Sequence, residues 1–206
     1  MLTRAYPKEA TLKDGHRIVI RPLNNGDFDK LYAFFQILPE EDRLFLRNDV
    51  TSPETVHKWV EQIDFERAIP LVAEDGGKIV ADGTLHLANH GWSRHVGDIR
   101  LVTARTHRGL GLGTLITREL VALAEERELE KLQVQVIEDN IGSVKMCERV
   151  GFKMEAVLPD LVKDQRGHRR NLAIMTNDVA NLSQVMEDWI QDSMLPQFRV
   201  PGEGIA

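Results

Sequence analysis

The stretch Arg108-Gly109-Leu110-Gly111-Leu112-Gly113-Thr114 lies between a strand-like run and an amphipathic one. A turn of this kind offers unpaired backbone N–H groups and the positive end of a helix to an anion. Glycines let the main chain close around that anion. The chemistry expected is the holding of a phosphate-bearing ligand; the alternative is a glycine-rich turn that binds nothing. Two other phosphate-binding patterns fit badly. A P-loop needs Lys-Ser/Thr after its last glycine, but Thr114-Leu115 follows Gly113. A dinucleotide fingerprint opens an early βαβ unit with G-x-G-x-x-G spacing, whereas this loop is mid-chain and reads G-x-G-x-G. The H-x-x-x-H pair His86 and His90 has no acid within it or beside it, so no metal is expected.

The elements that must position the loop can be read from periodicity. His16–Leu23 reads as a first strand ending at Pro22. Leu31, Phe34, Phe35 and Leu38 then fall on one face of a helix over Asp27–Leu38. A short helix follows Pro39. Thr51-Ser52-Pro53-Glu54 starts a third helix that runs to about Ile63, with a hydroxyl cap and proline in the first turn. Pro70–Glu74 and Lys78–Leu87 flank Asp75-Gly76-Gly77, a hairpin signal. Val96–Thr103 is a further strand. Leu112–Leu129 places Leu112, Leu115, Ile116, Leu120, Leu123 and Ala124 on one apolar stripe. Leu132–Ile137 alternates as a half-exposed strand, and Asn140 caps a short helix ending near Gly151. Strands Phe152–Leu158 and Asn171–Thr176 bracket a polar turn, and a last helix starts near Asn181. The fold class is therefore α/β, with a mixed, mostly antiparallel central sheet flanked by helices. Residues 196–206 read as a tail ordered only if it docks.

Composition narrows the class of partner. The 206 residues carry 26 Lys+Arg against 32 Asp+Glu, a net charge of −6, which argues against nucleic acid as a partner. One cysteine, Cys147, excludes a disulfide framework and a cysteine-based zinc cage. The polar N-terminus lacks a secretory pattern, and no run approaches the ~18 apolar residues of a membrane span. A cytoplasmic protein with no membrane partner is the expectation.

Arg108-x-x-Gly111-x-Gly113 resembles the Q/R-x-x-G-x-G/A signature of the GCN5-related N-acetyltransferases (GNAT). A second block, Asn140-x-x-Ser143-x-x-Met146-Cys147-Glu148-Arg149-Val150-Gly151-Phe152, resembles the family's N-x-x-A-x-x-L-Y-E-K-x-G-F segment. The likeness extends over roughly residues 16–176 in element order. It implies a GNAT-like acyl-CoA N-acyltransferase fold over 1–180, with 181–206 as a C-terminal helix and tail. It implies acetyl-CoA as acyl donor and the primary amine of a small molecule or protein as acceptor, attacked directly in a ternary complex. Pantetheine would lie in a gap beside Leu132–Ile137, pairing with the main chain of Arg100, Leu101 and Val102. The pyrophosphate would take N–H groups of Arg108, Gly109, Leu110, Gly111, Leu112, Gly113 and Thr114. Asn140, with Ser143 in the same block, would hydrogen-bond the donor near its acyl end. Asn140 also reads as a plain N-cap. A homodimer through 181–206 is a further expectation.

Acyl transfer to an amine needs a neutral amine, a stabilised oxyanion and a protonated leaving thiolate. The N–H of Val102 would serve the oxyanion. Where the family commonly places a tyrosine as general acid, this chain has Cys147, which is either that acid or a packed thiol. Where some relatives carry a glutamate base, it has Gln135, which cannot act as one. Asp98 stands at a spacing used by antibiotic- and herbicide-acetylating relatives and shares a strand face with Arg100 and Val102. It is either the base, acting through water, or a surface partner for Arg100 or Arg94. The missing tyrosine and glutamate leave a non-catalytic acyl-CoA-binding module as the alternative, with a nucleotide-binding protein behind it. Arg166, Arg169 and Arg170 either attract an anionic group or form a solvated hairpin tip.

Overall fold

The computed structural model describes residues 4–191. Eight strands form one sheet in the order β1-β2-β3-β4-β5-β6-β8-β7. They are β1 (Lys8–Thr11), β2 (Arg17–Pro22), β3 (Ala68–Asp75), β4 (Lys78–Leu87), β5 (Val96–Thr103), β6 (Lys131–Ile137), β7 (Lys153–Lys163) and β8 (Arg169–Asp178). Every neighbouring pair is antiparallel except β5 and β6. The helices are α1 (Phe28–Ile37), α2 (Glu40–Arg43), α3 (Pro53–Glu61), α4 (Leu112–Glu126), α5 (Ile141–Arg149) and α6 (Val179–Gln191). A single 3-10 turn, Arg105–His107, links β5 to the glycine loop.

The periodic segments fold as their patterns require. All six residues of the expected α4 stripe are fully buried, and they pack on β4, β5 and α6. Ser52 caps α3 by accepting from the Thr55 N–H, with Pro53 in the first turn. The β3–β4 turn is made by Gly76 and Gly77, both at positive φ.

Three differences from the periodic reading have physical causes. The sheet begins at Lys8, not near residue 16. Glu119 on α4 is buried and needs partners, and the β1 segment supplies them through Lys8 Nζ at 2.6 Å and the Tyr6 hydroxyl at 3.1 Å. β7 and β8 run well past the apolar stretch, because bulges between Met154 and Ala156 and between Leu158 and Val162 let polar residues continue the ladder. The last helix starts at Val179, and its Leu182 and Met186 enter the core beside α4. The expected tail, residues 196–206, lies outside the described residues.

At Gly83 on β4 the α4 helix approaches so closely that a Cβ would overlap Ile116 Cγ2 and lie 3.3 Å from Leu101 Cδ1. Gly83→Ala is therefore expected to destabilise the protein by about 1–3 kcal/mol, seen as a lower urea midpoint with unchanged slope. An unchanged midpoint would mean that α4 can move away at no cost.

Candidate active site

The parallel pair β5–β6 is short. Val96, Gly97, Asp98 and Ile99 face Lys131, Leu132, Gln133 and Val134, and there the pairing stops. Beyond it, Arg100–Thr103 stays bonded to β4 and Gln135–Ile137 stays bonded to β8. Two strand edges thus part inside the sheet, with main-chain groups of residues 100–103 turned to a gap. Such groups need a partner other than a strand.

The glycine loop follows β5 through the 3-10 turn. Gly109 and Gly111 have φ of 76° and 95°, a region that side chains disfavour. Gly111 is the N-cap of α4, so no side chain caps this helix, and its first turn holds no acid. The first amide of the turn with a backbone partner is that of Leu115, which donates to Gly111 at 3.0 Å. The helix end is thus an open set of N–H donors with a positive dipole behind it. Arg108 differs from the rest of the loop, because its N–H donates to the Arg105 carbonyl.

A strap made of α2 and the residues after it lies over this gap and touches both sides. On the β5 side, Asp42 accepts from Arg105 Nε and Arg108 Nη2, both at 2.9 Å. Burial would raise the Asp42 carboxyl, but the two guanidinium groups outweigh it and hold it below the ordinary carboxylate range. On the far side, Glu40 accepts from Arg166 Nε at 2.9 Å, and Gln165 donates to the Leu46 carbonyl at 3.0 Å. Arg47 spans the two strands, donating to Gln135 Oε1 at 2.6 Å and lying 3.5 Å from Asp98 Oδ2.

Residues directly opposite each other on β4 and β5 share a face. Asp82 faces Val102, Thr84 faces Arg100, and His86 faces Asp98. Asp98 and Arg100 do meet as the strand period implied, at 3.2 Å, but Arg47 was not foreseen beside them. The second carboxylate oxygen of Asp98, Oδ1, is buried without a hydrogen-bond partner. Burial, reinforced by Arg100, pushes the His86 imidazole down to about 4, so it is neutral at pH 7. Burial alone pushes Asp82 up to about 7, since no cation stands beside it. Asp82 is half-buried on the β4 face that also carries Thr84 and His86, and strand alternation is the sequence signal that groups these three.

Asn140 caps α5 by accepting from the Ser143 N–H at 3.2 Å. That bond engages its carbonyl oxygen and spends the Ser143 amide. Cys147 is buried on α5, and burial pushes its thiol up to about 12. Of the arginine cluster, Arg166 is spent on Glu40, while Arg170 pairs with Asp139 and Asp164, each at 3.0 Å. Two aromatics of the first helices are structural: Phe35 is buried, and Trp59 packs edge-on against it.

Comparison with known proteins gives this geometry a context. The profile of the acetyltransferase (GNAT) family matches residues 31–152. An uncharacterized N-acetyltransferase of Bacillus subtilis, YobR, is 31% identical over 112 residues, which is 52% of this chain and 43% of that protein. The chain thus spans less than half the length of this curated relative. Among solved structures, RimJ of Mycobacterium smegmatis in complex with CoA-disulfide superposes with a TM-score of 0.72 at 16% identity, covering 90% of this chain and 93% of that one. YncA of Salmonella typhimurium with acetyl-CoA gives 0.66 at 17% identity, covering 79% and 94%. At these identities the structural likeness speaks for the fold.

The raised Asp82 makes stability depend on pH in a defined direction. Its folded value of about 7 exceeds the unfolded 3.8, so folding takes up a proton between the two, and the buried charge costs stability as pH rises. Asp82→Asn is expected to match the parent below about pH 3.8, to gain on it steadily as pH rises from there to about 7, and to keep a constant advantage above that. Urea unfolding across that range checks this; a difference independent of pH would contradict it.

Proposed function

Because the chain belongs to the acetyltransferase (GNAT) family, we propose that it transfers the acetyl group of acetyl-CoA to a primary amine by direct attack. The observation that carries this reading is the uncapped glycine-rich N-terminus of α4, set at the mouth of a gap between two parted strands. The free amides of Gly109 to Thr114 are suited to a pyrophosphate, and the edge of Arg100, Leu101 and Val102 to an extended amide chain such as pantetheine. The donor supplies an activated thioester; this chain's residues bind it, orient it and move the protons. The main chain at Val102 is the proposed donor to the carbonyl oxygen as it gains negative charge. Asn140, whose oxygen already caps α5, keeps its amide group for a further hydrogen bond.

We assign the removal of a proton from the amine to Asp98, acting through water. It is one residue from the last paired position before the strands part, and its Oδ1 is a buried acceptor that lacks a partner. Arg47 and Arg100 hold its other oxygen in place. Cys147 is assigned to packing, since a thiol at about 12 gives up its proton poorly near neutral pH. The acceptor class is a primary amine on a small molecule or a protein.

Two experiments test the reading. Gly111→Glu places a carboxylate among the N–H donors, and acetyl-CoA affinity by calorimetry is expected to fall at least about a hundred-fold, with the circular dichroism spectrum retained. Undiminished affinity would remove the loop from donor binding. In thiol-release assays across an amine panel, Asp98→Asn is expected to lower kcat/KM at least about a hundred-fold, and Cys147→Ala only a few-fold. A larger loss in Asp82→Asn would move the base to Asp82. Tight acetyl-CoA binding with no turnover on any amine would make the chain a binding module.

A further inference from the structure

Outside the gap, three segments far apart in sequence bring two imidazoles and a carboxylate together. His16 stands just before β2, Asp75 ends β3, and His107 ends the 3-10 turn that leads into the glycine loop. His16 Nδ1 lies 2.6 Å and His107 Nε2 3.1 Å from the same oxygen, Asp75 Oδ2, and the three ligand atoms all fall within 4.8 Å of one another. We propose that His16, Asp75 and His107 form a binding site for a divalent transition-metal ion of the zinc type.

The donor set and its spacing support this. Two neutral imidazoles with one carboxylate suit zinc and its first-row neighbours, whereas magnesium and calcium prefer an all-oxygen shell. Ligand atoms around a tetrahedral zinc lie about 3.3 Å apart, close to the present separations, so small side-chain rotations would admit the ion. The scaffold is fixed, because Ile18 of β2 pairs with Asp75 and His107 is 8% exposed.

The surroundings also match what metal-bound histidines use. Thr106 Oγ1 is 2.9 Å from His107 Nδ1, and a hydroxyl can accept there once Nε2 gives its electron pair to the ion. Asp14 Oδ2 stands 4.0 Å from His16 Nε2, on the side away from the ion. His16 is open to solvent, which leaves room for water to complete the shell. Sequence spacing could not show the site, since no two ligands share an element; this inference departs from the expectation of no metal. A bound ion would fasten the segment carrying Arg108 to the β3–β4 hairpin. It needs no assumption about acetyl transfer.

The test uses the full chain, free of any histidine tag and first treated with a chelator. Calorimetry with zinc chloride is expected to show one ion per chain, and cobalt(II) to give the visible bands of a tetrahedral nitrogen–oxygen site. His16→Ala, an exposed change that the fold tolerates, and Asp75→Asn are each expected to weaken zinc binding at least about ten-fold. His57→Ala, at an exposed histidine on α3, serves as the control and is expected to bind as the parent does. Circular dichroism establishes that each variant is folded. No saturable binding of either ion, or equal affinity in parent, His16→Ala and Asp75→Asn, would overturn the site.

Discussion

Backbone groups inside a sheet must find partners, and at one place in this protein they do not find them in a neighbouring strand. Past Ile99 and Val134 the two parallel strands separate, each still held by its outer neighbour. The parting is therefore built into the ladder and is not fraying at an edge. It sets a row of main-chain donors and acceptors at the centre of the molecule. Everything else at the site is arranged about that opening: the glycine loop at its mouth, the polar face of β4 and β5 beside it, and the α2 strap above it.

The packing explains why the opening persists. α4 is anchored on β4 and β5 by a fully buried stripe and by the close approach at Gly83, so the loop that feeds it has a fixed end. β6 is held on its far side by β8 along seven residues. Closing the gap would mean breaking one of these ladders. The strap is of a different kind, since it is joined to both sides by solvent-facing ion pairs such as Glu40–Arg166 and Arg105–Asp42. Pairs of this sort contribute little each and can exchange for a ligand's charges, which suits a cover over a binding cleft.

The readable parts of the sequence were those where a local pattern dictates structure. The α4 stripe, the Ser52 cap, the Gly76-Gly77 turn and the Asn140 cap each follow from neighbours in the chain, and each is found where the pattern puts it. Strand β1 was not readable, because Lys8–Thr11 has little apolar character and is held by a carboxylate over a hundred residues away, Glu119. The site divides in the same way. The loop and Asn140 carry their own signatures, and strand alternation placed Asp98 beside Arg100. Arg47, Asp42 and Asp82 gain their roles only when strap, loop and β4 meet in space, so no spacing rule could have singled them out together.

The central claim is that the parted edge of β5 and the open amides of the loop together form the acetyl-CoA site. Hydrogen–deuterium exchange with and without acetyl-CoA tests it most directly, because it reads those backbone amides themselves. The account predicts slowed exchange in peptides spanning Arg100–Val102 and Gly109–Thr114, with little change across the β1–β2 and β7–β8 hairpins. Protection confined to other segments, or no protection at saturating acetyl-CoA, would contradict it.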